Sequence, residues 1–239
     1  MLKPNISTPA ALIGEPTRAA ILMALCDGRA HTAGALADAL GISAQSASNH
    51  LSRLIEGDLL TVVRQGRHRY YRLASTAVAQ SIEALASVAA PMRTELLRTS
   101  VSHEQLRFAR CCYSHLAGAL GVSVLEALLS REVLIPAGNT PTGRTLYVLS
   151  EEGARWAARV AVPLAEGRAS PSYAISCIDW TERKSHLAGL LGTQLLTGLI
   201  EGKYLEVTSG RGLKVTPRGV AMFRAELGID LSEQTLRSA

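Results

Sequence analysis

An eight-residue phrase occurs twice in the chain, as SHLAGALG at 114–121 and SHLAGLLG at 185–192, identical at seven of eight positions at an offset of 71. A helical Gly costs roughly 1 kcal/mol relative to Ala, so two glycines kept in register are not a cheap way to spell a generic helix. The repetition runs on. VSVLEALLSREVLI, a Pro/Gly/Thr-rich loop and RTLYVLSEEGARWAARV follow the first copy; TQLLTGLIEGKYLEV, TSGRG and LKVTPRGVAMFRAEL follow the second. Internal repeats restrict the fold before any local reading does, because duplicated units bury one another's faces. Two repeats are predicted, over about 101–165 and 172–230.

The wording of each copy predicts helix, helix, strand, turn, strand and a closing helix, with Ser150 and Thr216 where helix N-caps belong. LADALGIS at 36–43 and LAGALGVS at 116–123 align, so the same plan is expected earlier in the chain. There Pro16 opens a helix through TRAAILMALCDG, with Ile21, Leu22 and Leu25 on one face and a Gly at its end. TAGALADALG gives a second helix closed by Gly41. In ISAQSASNHLSRLIEG, Ser43 caps a third helix, with Ala47, Leu51, Leu54 and Ile55 facing inward. Its other face carries Gln45, Ser46, Ser48, Asn49, His50, Ser52 and Arg53, side chains suited to phosphates and base edges. LLTVVRQGRHRYYRL then reads as two strands about a Gly turn, crowded with Arg64, Arg67, His68, Arg69 and Arg72. Helix-turn-helix plus basic hairpin is a winged helix, whose second helix enters the major groove while the wing reaches the backbone.

LADALGISAQSASNHLSRLIEGDLL and VVRQGRHRYYRL resemble the recognition segment and wing of the ArsR/SmtB repressors, over roughly residues 14–75. The resemblance implies a dimeric repressor that binds an imperfect inverted repeat in a promoter and is released by a signal. The family's thiolate pair in the helix before the recognition helix is missing from TAGALADAL. No Asp/His ligand pair is recognisable in the helix after the wing, so sensing at those two places is not expected. Ser43, Gln45, Ser46, Ser48, Asn49, His50, Ser52, Arg53, Arg64, Arg67, His68 and Arg69 are the candidate DNA contacts.

Composition agrees. Hydrophobic residues make up 47% and aromatics only 4%, which favours Ala/Leu-built helices, and the net charge of +5 suits a polyanionic partner. Four cysteines in 239 residues are too few for a disulfide scaffold, so free thiols are expected. With neither a signal-peptide pattern nor an apolar run of about 18 residues, the expectation is a cytoplasmic protein without a membrane partner. The fold class is mainly α with small β-hairpin wings (α+β). The winged helix occupies 1–75 and a linking helix 76–100, and a C-terminal sensory domain of two degenerate winged-helix-like repeats spans 101–239. Along the linking helix Val78, Ile82, Leu85, Ala89, Met92 and Leu96 form an apolar stripe, kinked at Pro91, that predicts a homodimer contact.

The repeats lack the polar recognition face, and their second helix is expected to be truncated; Arg211 and Arg218 alone leave DNA contact open there. Candidate ligand-binding residues precede each phrase: Arg110, Cys111, Cys112, Tyr113 and His115 before the first, Cys177, Asp179, Trp180 and His186 before the second. Read as helix, RFARCCYSH puts Cys111 or Cys112 on the face of His115. Cys112 with His115 and Cys177 with His186 converge if the repeats pack symmetrically. Three readings stand side by side. These residues pack; or they line a small-molecule pocket walled by Tyr113 and Trp180, with Arg110, His115 and Asp179 orienting an effector; or Cys111, Cys112 and Cys177 make a thiol- or metal-responsive sensor. The spacing matches no compact Cys/His pattern, so no metal ligand is assigned and no cofactor is expected. A cysteine-dependent enzyme is the remote alternative. No phosphate loop, dinucleotide fingerprint, HExxH or GxSxG is present, and the expectation is not an enzyme.

Overall fold

The computed structural model describes residues 4–89, 103–164, 170, 173–208 and 210–231. The chain divides into two compact units, 1–100 and 101–239.

In the first unit, α1 (Ser7–Ile13) precedes α2 (Pro16–Leu25), β1 (His31–Thr32), α3 (Ala33–Leu40), α4 (Ala44–Glu56), β2 (Leu60–Gln65), β3 (His68–Leu73) and α5 (Thr76–Val88). Glu15 caps α2 by accepting from the backbone N–H groups of Thr17 and Arg18, with Pro16 next, where its missing N–H costs nothing. Ile21, Leu22, Leu25, Ala47, Leu51 and Leu54 are all fully buried, so the inward faces of α2 and α4 are the ones the spacing predicts. Ile55 is only half-buried. Helix α2 ends at Leu25 rather than at the Gly of CDG. Asp27 stops it: its carboxylate accepts from the Arg29 backbone N–H (2.9 Å) and meets His31 Nε2 (2.7 Å), committing the chain to the loop into β1. Ser43 caps α4 through the Ser46 N–H, and Gly41 closes α3 with φ 64°. The sheet order is β1-β3-β2, with β2 and β3 paired from Leu60↔Leu73 to Gln65↔His68. In α5, Ile82 is buried and Val78 half-buried, while Leu85 and Val88 stand exposed. Met92, Leu96 and the expected kink at Pro91 lie outside the described residues.

The second unit runs α6 (His103–Phe108), β4 (Arg110–Cys112), β5 (His115–Ala117), α7 (Ala119–Ser130), β6 (Leu134–Asn139), β7 (Thr145–Leu149) and α8 (Glu151–Arg159). It then repeats as β8 (Ile175–Ile178), β9 (Ser185–Ala188), α9 (Gly189–Glu201), β10 (Leu205–Val207), β11 (Leu213–Val215) and α10 (Pro217–Leu227). Each repeat is therefore hairpin, helix, hairpin, helix. The second hairpin and its closing helix are as expected, and Ser150 and Thr216 are N-caps that accept from the N–H groups of Gly153 and Gly219. The front of each repeat differs from expectation. SHLA is a strand, and one continuous helix follows it in place of a helix pair, so the alignment with LADALGIS does not extend to local structure. Arg110–Cys112 is likewise extended, not helical. Its partner strand decides this, pairing Arg110↔Ala117, Cys111↔Leu116 and Cys112↔His115; three-residue strands carry too little local propensity to announce themselves.

The repeats exchange strands. Hairpin β6-β7 of the first joins β8-β9 of the second in one sheet, order β6-β7-β8-β9. Reciprocally, β4 of the first meets the β10-β11 side of the second: Cys111 N–H donates to Arg211 C=O (2.8 Å) and Leu213 N–H to Ala109 C=O (3.0 Å). One shared core results, with Leu120, Leu125, Leu128, Leu187, Leu199, Leu213 and Phe223 buried together. The repeated phrase is the seam. A Cβ on Gly121 would lie 3.6 Å from His186 Cβ and 2.6 Å from Leu116 O; one on Gly192 would lie 3.2 Å from His115 Cβ and 2.7 Å from Leu187 O. The last Gly of each copy thus lets its helix pass close to the Leu carbonyl of its own copy, and at Gly192 it also leaves space beside His115 of the other.

Candidate functional site

Helix α4 presents Gln45, Ser48, Asn49, Ser52 and Arg53 to solvent, along one side of a helix whose other side is fixed in the core. Three predicted contacts are less available. Ser43 is exposed, but its hydroxyl is the cap of α4, and Ser46 is half-buried. His50 is half-buried and turns toward the base of α2, its Nδ1 3.3 Å from Glu15 Oε2. That pair assigns His50 a packing contact within the unit rather than a place on the open face. Gln45 Nε2 donates to Asn49 Oδ1 at 3.1 Å, one helical turn on, which holds both amides outward. Beyond α4, Arg64, Arg67, His68 and Arg69 are all exposed on the β2-β3 hairpin and at its tip.

The second unit gathers the residues that precede the phrases. The paired positions Cys112↔His115 and Cys177↔His186 sit at equivalent register in hairpins β4-β5 and β8-β9. The hairpins face each other: His115 Nε2 lies 3.1 Å from His186 Nε2, the two rings stack with centroids 5.0 Å apart, and Ser114 Oγ lies 3.0 Å from Thr193 Oγ1. One donor atom from each of Cys112, His115, Cys177 and His186 falls within 4.8 Å of the others. Cys112, His115 and His186 are buried and Cys177 half-buried. A hydrogen bond to Cys177 and burial together push the Cys112 thiol up to about 12, with His115 and His186 pulling the other way. The convergence expected for these four residues is present, although their spacing in the chain matches no compact Cys/His pattern. Cys111 points elsewhere, on the opposite face of β4, as alternation along a strand requires.

Arg110 and Asp179 are bound to each other. Arg110 Nη2 donates to Asp179 Oδ2 at 2.8 Å, with the side chains 1% and 0% exposed. Arg110 Nη1 also donates to Leu106 C=O and Thr181 Oγ1, and its guanidinium lies over the Trp180 ring at 4.5 Å. Asp179 Oδ2 further accepts from the Gly118 N–H (2.7 Å), while Oδ1 accepts from the Thr181 N–H and hydroxyl and the Glu182 N–H. Burial alone would raise this carboxyl, but Arg110 and these donors hold it far below the usual carboxylate range. The pair locks the loop between β8 and β9 onto the start of α7, which leaves neither group free to orient an effector. Tyr113 occupies the two-residue turn of β4-β5 in the left-handed region, φ 59°. The apolar cavity among Leu128, Val133, Leu134, Trp156, Leu187 and Leu191 measures about 10 Å³, the space of a single water at most. Arg211 is buried with its Nε donating to Cys111 C=O, and Arg218 lies over the Tyr204 ring. Arg211 therefore bridges the two repeats.

Comparison with known proteins agrees with the N-terminal unit. Residues 13–63 match the helix-turn-helix domain family. Across 232 residues the chain is 34% identical to the uncharacterized HTH-type transcriptional regulator YdfF of Bacillus subtilis, covering 96% of this chain and all of that one. The chain belongs to the HTH-type transcriptional regulators. It is also 36% identical over 83 residues to the HTH-type transcriptional regulator CmtR of Mycobacterium tuberculosis, covering 35% of this chain and 70% of CmtR. Among solved structures, the homodimeric winged helix-turn-helix domain of Mb0332 from Mycobacterium bovis is 31% identical, covering 35% of this chain and 75% of that one with a TM-score of 0.33. The ArsR-like character read from the recognition segment stands, and the relatives are regulators, not enzymes. Among the described residues no helix is long and apolar enough to cross a membrane.

Proposed function

We propose that this regulator is a homodimeric repressor that reads an inverted-repeat operator with α4 and grips the adjacent backbone with the β2-β3 wing. The C-terminal unit receives the effector that releases it. The observation that carries the reading is the open polar face of α4, held outward by its buried apolar side and followed by an arginine-rich hairpin. Short amide and hydroxyl side chains suit base edges, whereas the guanidinium groups of the wing suit phosphates. The exposed apolar residues Leu85 and Val88 on α5 support a second copy as the dimer partner. In the C-terminal unit Arg211 is buried against Cys111 C=O and Arg218 lies over the Tyr204 ring, which suits a signal-receiving part better than a second DNA reader. Selecting duplexes from a random pool with the full chain tests this. Enrichment of a pseudo-palindrome with half-sites about one helical turn apart is expected. Recovery of no common sequence, or of a single unrepeated half-site, would overturn it.

A further inference from the structure

We propose that Cys112, His115, Cys177 and His186 form a tetrahedral binding site for one divalent cation of the zinc class, clipping the two repeats together. The inference does not depend on the DNA-binding reading.

Four lines of geometry converge. The donor set is two sulfurs and two imidazole nitrogens, the combination a closed zinc site uses. A tetrahedron with metal–nitrogen bonds of about 2.0–2.1 Å sets its two nitrogens about 3.3 Å apart; the two Nε2 atoms stand 3.1 Å apart. All four donor atoms lie within 4.8 Å of one another, and metal–sulfur bonds of about 2.3 Å would draw the two thiols to about 3.8 Å apart, an inward shift that side-chain rotation supplies. Behind the cluster, His186 Nδ1 is buried without a hydrogen bond and faces Asp179 Oδ2 at 3.9 Å. A carboxylate behind a ligating imidazole is the usual outer partner, fixing which nitrogen turns to the metal.

Each repeat gives one Cys and one His, from paired positions of one hairpin, so neither repeat owns the site. The repeated histidine then has a purpose in both copies, each ring reaching the axis from its own hairpin. Four protein donors leave no open position, so the site suits a structural or sensing ion and not a catalytic one.

The test uses the reduced, chelator-treated full chain titrated with cobalt(II), with zinc content measured by elemental mass spectrometry. One cobalt per chain is expected, with intense tetrahedral ligand-field bands and a thiolate charge-transfer band that zinc abolishes. Cys177→Ser, at the least buried of the four positions, should weaken cobalt binding by at least about a hundredfold. Cys111→Ser, on the other face of the same strand as Cys112, should leave it unchanged. Should Cys177→Ser impair folding, the wild type still decides: zinc must raise the thermal midpoint followed by tryptophan fluorescence. Absence of the charge-transfer band in wild type, no zinc-dependent shift, or a folded Cys177→Ser that binds cobalt like wild type would each overturn the site. So would a chain that takes up no metal when reduced and instead forms a Cys112–Cys177 disulfide in air.

Discussion

Replacing Asp179 with Asn removes the charge but almost no volume, and it tests what the Arg110–Asp179 pair does. In the native fold Oδ2 takes the Arg110 guanidinium and the Gly118 N–H, and Oδ1 takes three donors from Thr181 and Glu182. An amide cannot satisfy both oxygen sites: its NH2 must face either the guanidinium and the Gly118 N–H or the Thr181 and Glu182 donors. Arg110, 1% exposed, is left as a buried cation without a counter-charge. Breaking one partner of such a pair costs about 3–5 kcal/mol. With a urea slope of about 2 kcal/mol/M, the midpoint should fall by about 2 M. Both tryptophans, Trp156 and Trp180, lie in the second unit, so tryptophan fluorescence in a urea titration reports that unit alone. Adding Arg110→Met to Asp179→Asn removes the orphaned charge, so the double variant should lose less than the sum of the singles by about 1–3 kcal/mol. A midpoint shift for Asp179→Asn below about 0.5 M, or strict additivity, would refute the reasoning.

Two further outcomes follow from particular residues. Gly192→Ala gains about 1 kcal/mol of helix propensity but drives a Cβ to 2.7 Å from Leu187 O and 3.2 Å from His115 Cβ, so it should destabilise the second unit by about 1–3 kcal/mol. Gly34→Ala, which meets nothing within 4 Å, should stabilise the first unit instead; equal signs for the two in chemical denaturation would contradict the seam. Asp27 is the pH prediction. Burial works to raise its pKa, but the hydrogen bond with His31 and the Arg29 N–H outweigh it, and the folded value lies below the ordinary one. Its contribution is therefore present above pH about 4 and lost as pH falls through the lower folded value. Amide exchange in α2, corrected for intrinsic rates, should lose protection below that pH. In Asp27→Asn, protection should start lower and fall less; parallel profiles would count against the assignment.

The winged helix was legible because each of its signals is local. Pro16, Ser43 and Gly41 mark helix ends, and Leu22, Leu25, Leu51 and Leu54 recur at helical spacing. The two-residue turn at Gly66–Arg67 sits between alternating strands. The second unit hid its chemistry for a physical reason. Its front strands, RCC, HLA, ISCI and SHLA, are three or four residues long, and they become strands only through pairing within each hairpin. Ala- and Leu-rich wording therefore read as helix. The Cys/His cluster escaped assignment because hairpin β4-β5 places two residues between Cys112 and His115, while β8-β9 places eight between Cys177 and His186. That longer loop holds Asp179, Trp180 and Thr181, the partners of Arg110, so it breaks the repeat's spacing while fixing its geometry. The usable signal was the histidine repeated at the head of each phrase, read together with the cysteine paired to it. His50 misled for the opposite reason: its place in the recognition segment was right, but Glu15, far away in sequence, turns it inward.

The central claim is that α4 supplies sequence recognition and the wing supplies backbone grip. Fluorescence anisotropy at several salt concentrations, on the selected operator and on an unrelated duplex, tests it directly. Ser48→Ala/Asn49→Ala should weaken operator binding by roughly tenfold or more while leaving background binding in place. Arg67→Ala should weaken both duplexes alike and lower the salt slope by about one. Variants that bind both duplexes as wild type does, or an α4 variant that weakens both equally, would contradict the account.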